Sequence, residues 1–373
     1  MAGPDQFYDN VSKEWLQWNP FNDQSRHVFV RGLGDQALHA ITALGTCGDP
    51  RQDGYSSHRT DVLFPTLEEH GISLDKVKNP EVTDWDVSRA KVESLWGARS
   101  KVLTIPVTKQ TAGAASIAEA GLLTYGGILR GQQVFTMIET GPDAPEETAV
   151  ARELALTLLR ATEARFPLFT ISPNLHIMSH QAAVAFSKLD RAKRGAVDIS
   201  TNYQLPPLDS SIRPEIYLSG SAGKGIPDWM KAIRSRIKTL KKDAPVDDSY
   251  REDWNPTRHI PEELEKKLKS AVQIQVVAGD TEALGALAET GARIMHADLS
   301  GQSYGVLIEP NYEGDTPQRK DSNRARALVI EHLARLKEDF PSTPVFVTRS
   351  LPDLALFAAG QYVQQKERLA MSR

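Results

Sequence analysis

The chain repeats itself. VTKQTAGAASIAEAG, Val107 to Gly121, leads from an apolar run through small turn-forming residues into an Ala-rich helix with one carboxylate, Glu119. VVAGDTEALGALAETG, Val276 to Gly291, has the same layout around Glu289. Thr111 lies eight residues before Glu119 and Thr281 eight before Glu289, so the copies are offset by 170. That offset lays GQQVFTMIE, from Gly131, on GQSYGVLIE, from Gly301, and the β-branched run from Val102 on that from Val272. Asp84-Trp85 pairs with Asp253-Trp254 at an offset of 169. ITALGT from Ile41 pairs with IYLSGS from Ile216, and FPLFTISPNLHIMSHQAAVAF from Phe166 with TPVFVTRSLPDLALFAAGQYV from Thr343. Matched blocks in one order indicate a tandem duplication, which commits the chain to two like domains.

Each copy alternates short apolar runs with amphipathic helical stretches, the pattern of a parallel sheet covered by helices. The expected fold is α/β, two tandem Rossmann-like (flavodoxin-like) domains, each a parallel sheet flanked by helices. Strands are expected near residues 40–44, 101–107, 133–138 and 168–171 in copy one. In copy two they are expected near 215–219, 272–278, 304–309 and 344–348. The stretch from Ser187 to Pro214 loses periodicity and gains Pro and Ser, so a linker is expected there. The divisions are an N-terminal extension over 1–38 anchored by Tyr8, Trp15 and Trp18, domain 1 over 39–195, a linker over 196–213 and domain 2 over 214–373.

The 373 residues carry a formal net charge of −4, against a nucleic-acid or anionic-membrane binder, which needs a clustered basic face. The densest basic run, from Lys231 to Lys242, has the spacing of a solvated helix face with Ile233, Ile237 and Leu240 behind it. One cysteine, Cys47, permits no intrachain disulfide and reads as a small buried residue. With no leader-like opening and no run long enough to span a membrane, the expected compartment is cytoplasmic. His176 and His180 form an i, i+4 pair without the acidic partner of a zinc motif; no metal and no cofactor is expected.

In an open parallel sheet, ligands bind beyond the carboxyl ends of the strands, where loops enter helix N-termini. Glu119 and Glu289 both follow such an end. Thr111 and Ser116, and Asp280 and Thr281, are the expected caps of their helices. The helix dipole favours an ionised carboxylate there and lowers its basicity. Such a glutamate serves either as a dipole partner without chemistry or as a nucleophile or stabiliser of a cationic centre. GTCGDPR, Gly45 to Arg51, has a Gly-rich turn with an arginine able to cradle a ribose or 5′-phosphate, and equally able to be a plain turn. GSAGKG, Gly220 to Gly225, occupies the same place in copy two without Walker spacing.

Through ALGTCGDPRQDGYSSHRTDVLFPTLEEHGI, NPEVTDW and SIAEAG, the first copy resembles the nucleoside 2-deoxyribosyltransferase-like superfamily over about 150 residues; the second is a fainter match through IYLSG, DWNP and ALAETG. The resemblance implies cleavage of an N-glycosidic bond in a nucleoside or nucleotide, with Glu119, and in copy two Glu289, attacking the anomeric carbon. Where the related enzymes carry an aspartate six residues before the nucleophile, this chain has Gly113 and Ala283. The acid must then come from elsewhere; Asp84 and Asp86 are candidates, and Trp85 is a stacking surface or a core residue. Asp253 and Trp254 are their counterparts, and Gly45, Arg51, Ser116 and Gly220 complete the candidate substrate contacts. The implied partner is a small-molecule nucleoside or nucleotide, with a homodimer allowed and the second domain able to serve as a built-in partner. A non-catalytic nucleotide sensor, or an NAD-cleaving effector, are the rival readings.

Overall fold

A computed structural model describes residues 27–29, 38–45, 57–78, 87–191, 202–204, 211–221, 227–250, 256–279, 283–309, 316–340 and 345–371. The first part of the chain forms β1 (His27–Phe29), β2 (Leu38–Ala43), a π-turn (Arg59–Leu63) running into α1 (Phe64–Glu69), β3 (Val77–Lys78) and α2 (Val87–Arg99). It continues through β4 (Ser100–Val107), α3 (Ala114–Arg130), β5 (Gln133–Ile138), α4 (Glu146–Glu163), β6 (Phe169–Ile171) and α5 (Leu175–Arg191). The second part forms β7 (Asn202–Gln204), β8 (Arg213–Gly220), α6 (Asp228–Leu240), β9 (Val246–Asp248) and α7 (Pro256–Lys269). Then come β10 (Ser270–Val277), α8 (Leu284–Leu299), β11 (Ser303–Ile308), α9 (Pro317–Asp339), β12 (Val345–Thr348) and α10 (Leu351–Met371).

Two five-stranded sheets result, ordered β3-β2-β4-β5-β6 and β9-β8-β10-β11-β12, and every pairing within them is parallel. The chain is α/β, with two tandem Rossmann-like domains. The two orders are the same once each copy is numbered from its own first strand, and both place a topological switch point between the first strand and the third. All eight expected strands are present. The edge strands β3 and β9 add to them, and β1 pairs antiparallel with β7, which falls inside the expected linker.

Strand β4 is buried at seven of eight positions and β10 at all eight, Gln273 and Gln275 included, as expected when helices cover both faces. Side chains at matching positions repeat the same bracing. The Gln132 amide donates to the carbonyls of Gly97 (2.8 Å) and Ser100 (2.5 Å); the Gln302 amide donates to those of Leu268 (3.0 Å) and Ser270 (2.8 Å). Glu139 accepts from the Lys109 amide (2.7 Å) and Glu309 from the Gly279 amide (2.9 Å).

The two copies meet along α3 and α8. α3 is apolar almost all round, the composition of a helix with no face for water, and is buried at every position but Ala115; α8 is buried at most positions, Glu289, Arg293 and Asp298 included. They cross at Gly121 and Gly291, residues related by the 170 offset. A Cβ on Gly121 would lie 2.0 Å from the Ala292 nitrogen, and one on Gly291 2.0 Å from the Ala118 carbonyl oxygen. The Tyr125 hydroxyl bonds the Asp298 carboxylate, Arg130 pairs with Asp339 at 2.7 Å, and Arg165 donates to the Leu299 carbonyl at 3.1 Å. Each of these contacts joins C-terminal halves, so α3, α4, α8 and α9 run the same way. Both sheets therefore present their carboxyl edges on one side. One hydrophobic core, including Leu123, Tyr125, Leu154, Leu158, Leu287, Met295 and Leu333, spans the two copies.

Because the crossing has no room for a methyl group, Gly121→Ala and Gly291→Ala are each expected to destabilise the protein by about 3 kcal/mol or more, measured by denaturant unfolding. A second test uses His296 in the last turn of α8, whose pKa burial, with Arg165 adding to it, depresses to about 4. Between an unfolded value of about 6.5 and that folded value, only the unfolded chain binds the proton, so stability falls as pH drops through this window. His296→Gln is expected to remove roughly 2 kcal/mol of the stability difference between pH 7 and pH 4.5.

Candidate functional site

Glu119 lies in the second turn of α3, below the carboxyl edge of the first sheet. The loop that leads to it is clamped by Arg152, whose guanidinium donates to the carbonyls of Thr108 (3.0 Å), Thr111 (2.7 Å), Ala112 (3.1 Å) and Glu139 (3.0 Å). Burial, partly offset by Glu139, lowers the Arg152 pKa to about 10, which leaves it charged at neutral pH. Arg326 does the same in copy two, donating to the carbonyls of Ala278 (2.8 Å), Val277 (3.3 Å) and Glu309. The residue before α3 is Gly113, at φ 63°, and the residue before α8 is Ala283, at φ 51°. Ala283 makes no side-chain cap on α8, and among the described residues no side chain caps α3, so Thr111 and Ser116 do not: the left-handed Gly113 turns the chain into the helix without one. Gly113 and Ala283 are thus the backbone pivots of their loops, in a conformation that favours glycine.

The two glutamates, each two residues ahead of its crossing glycine, have different surroundings. Glu289 has both oxygens taken. Oε2 accepts from the Lys267 ammonium at 2.7 Å; Oε1 accepts from Arg293 at 3.1 Å and from the Gln275 amide at 3.3 Å. The cations are anchored in turn, Lys267 near Glu263 (3.4 Å) and Arg293 on the Ser219 hydroxyl (2.6 Å) and the Gln273 carbonyl oxygen (3.1 Å). Arg293 also lies over the Tyr304 ring at 5.2 Å. Burial pushes the Glu289 carboxyl up, but Lys267 and Arg293 outweigh it and hold it below the usual carboxylate range.

Copy one has none of that network. The 170 offset puts Gly97 in place of Lys267, Leu123 in place of Arg293, Ile105 in place of Gln275 and Leu103 in place of Gln273. Glu119, 3 % exposed, accepts at Oε1 from His332 Nε2 of α9 at 3.1 Å. Among the described residues Oε2 makes no hydrogen bond. The copy-one counterpart of Glu263 is Glu93, also buried, with Arg324 of α9 at 3.9 Å.

Gly45 ends β2 at φ 98°, where a Cβ would lie 2.1 Å from the Pro106 carbonyl oxygen; Gly220 ends β8 at φ 142°, where a Cβ would lie 2.0 Å from that of Val276. Both chain ends are therefore pressed against the central strand at the switch point. Buried Arg59 donates to the Gly45 carbonyl at 3.2 Å, while Trp229 Nε1 reaches the Ser221 carbonyl at 3.0 Å in copy two. Ser116 is buried in the first turn of α3. Arg51, Asp84, Trp85, Asp86, Asp253 and Trp254 lie outside the described residues, as do Cys47, Asp280 and Thr281. His180 meets His70 rather than His176, at 2.9 Å between ring nitrogens. Among the described residues no group of three or more His, Cys, Asp or Glu side chains could hold a metal ion, and no helix is long and apolar enough to cross a membrane.

Sequence reasoning identified the two glutamates and missed their partners. Arg293 follows Glu289 at i+4, a helical spacing that pairs opposite charges and was there to be read. His332 gave no such signal, being 213 residues from Glu119. Comparison with known protein families and with curated proteins returns no match.

Taking Lys267 from the network leaves Glu289 Oε2 without a donor while Arg293 stays on Oε1. Lys267→Met is expected to cost about 1–3 kcal/mol in denaturant unfolding. Glu119→Gln, which exchanges one hydrogen bond for another, is expected to cost about 1 kcal/mol.

Proposed function

We propose that the chain cleaves the N-glycosidic bond of a nucleoside or nucleotide through Glu119, with the second copy as its structural partner. The carrying observation is the contrast between the glutamates. Glu289 is held at both oxygens by Lys267 and Arg293, whose charge makes it a poorer nucleophile, whereas among the described residues Glu119 keeps Oε2 without a bond and has no lysine or arginine on it. Its place after β4, beside the β2–β4 switch point, is where open α/β sheets receive ligands. The resemblance of copy one to nucleoside 2-deoxyribosyltransferase-like proteins supplies the substrate class.

In the reaction, a Glu119 oxygen bonds to the anomeric carbon as the carbon–nitrogen bond breaks. The base leaves with that electron pair and takes a proton from an acid, for which Asp84 and Asp86 remain the candidates. Water or a second base then displaces the glutamate from the sugar, and attack on the opposite face each time retains the configuration. The low-dielectric setting strengthens carboxylate stabilisation of the oxocarbenium-like centre.

A second reading, a non-catalytic nucleotide sensor of the same fold, draws on the burial of Glu119 and on Gly113 standing where an aspartate would be. The test is incubation of the purified protein with nucleosides, 5′-nucleotides and NAD, following free base by chromatography. Base release that falls by about 10³-fold or more in Glu119→Ala and persists in Glu289→Gln is the expected outcome. Binding of a nucleotide with no release of base would favour the sensor; release from NAD alone would narrow the substrate to the dinucleotide.

A further inference from the structure

The contact between Glu119 and His332 crosses from one copy to the other. It is a buried pair, 3 % and 4 % exposed, and it is held from both sides. Arg152 fixes the loop that starts α3. On the other side, α9 is tied to copy one by the Ser94 hydroxyl on the Glu331 carbonyl at 3.3 Å and by Arg130 on Asp339 at 2.7 Å. The charged side chains around the pair are Glu93 from α2 with Arg324 from α9, and Glu331 beside the histidine; all take part in other interactions.

Copy one offers Glu289 nothing comparable. The spacing that relates Arg152 to Arg326 relates Leu158 to His332, and Leu158 is a buried core residue. The duplicated interface thus carries a histidine on the side where the glutamate lacks its own cations and a leucine on the side where the glutamate has two.

We propose that His332 of the second copy is the positioning residue for Glu119: its Nε2–H donates to Oε1, fixes the carboxylate rotamer and leaves Oε2 to meet the anomeric carbon. This rests on the reading of Glu119 as the nucleophile. A ring N–H restrains the carboxylate without the fixed ammonium or guanidinium charge that occupies Glu289. A rotamer held this way matters because misplacing a reacting atom by about 1 Å costs on the order of 100-fold in rate. The active centre of copy one is accordingly incomplete without copy two.

The test is steady-state base release by the full chain with His332→Leu, His332→Asn and His332→Gln, each checked for a wild-type thermal midpoint. Gln can place an amide N–H near the Nε2 position, and Asn is too short to do so. The expected result is a fall in kcat of about 100-fold in Leu and Asn with KM within about twofold of wild type, and recovery of most of kcat in Gln. If Leu fails to fold, the Asn and Gln pair decides. Full kcat in a folded Leu or Asn variant, or no recovery in a folded Gln variant, overturns the positioning role. Should those variants keep full kcat while Glu119→Ala abolishes base release, only this inference falls. No base release by the wild-type chain from any substrate overturns the catalytic reading and takes this inference with it.

Discussion

The arrangement of this protein depends on one backbone contact, the crossing of α3 over α8 at Gly121 and Gly291. Helices joined by ordinary side chains have axes 8–10 Å apart; glycine at the crossing lets one backbone rest on the other. That approach merges the apolar faces of two sheets into one core, so that neither domain has a separate interior on this side. It also brings α9 across α3 and α4 beside α8. The meeting of Glu119 with His332 follows from that placement: both helices are positioned by the crossing before either polar side chain finds a partner.

Around the shared frame, the copies solve the burial of a glutamate in different ways. Copy two surrounds Glu289 with two cations, a second carboxylate and three amide or hydroxyl groups, and desolvating so many charges consumes most of what their attraction returns. Copy one fills the same space with Leu103, Ile105 and Leu123 and remains as well packed, which indicates that the fold does not require the charged network. What the fold equally does not require is Glu119. An apolar residue in its place would avoid the desolvation cost of a carboxylate that has one neutral-capable partner. A chain that has Leu103, Ile105 and Leu123 where copy two has Gln273, Gln275 and Arg293, and keeps the glutamate, carries it for some purpose other than packing.

The repeat made the fold legible. Eight strands announced themselves because parallel strands buried on both faces are rich in β-branched and apolar residues, even where Gln273 and Gln275 alternate with them in β10, and the helices between them kept their periodicity. The strands that escaped notice are short: β3 has two residues and β1, β7 and β9 three each, too few for a run, and they are set by pairing, β3 to β2, β9 to β8 and β1 to β7, rather than by their own composition. Glu119 and Glu289 were visible because they recur in register. The absence of a side-chain cap on α3 was not, since Gly113 does by backbone conformation what Thr111 and Ser116 could have done by hydrogen bonding. His332 lay beyond reach for a simpler reason. Nothing in IEHLARL marks its histidine, and the contact exists only once two helices from different copies have crossed.

That contact also bears on why two copies are joined in one chain. In a symmetric pair of identical subunits each interface residue occurs twice, so a histidine reaching one glutamate would reach the other as well, and a lysine and arginine neutralising one would neutralise both. Fusion removes the constraint. One glutamate can be given over to a charged structural network that holds its half of the body, while its counterpart, among the described residues, takes its one hydrogen-bond partner from across the interface and keeps Oε2 unbonded. The copies differ where symmetry would have forbidden it: at Leu158 and His332, at Leu123 and Arg293, and at Gly97 and Lys267. The glycine crossing, which both halves need alike, has stayed the same.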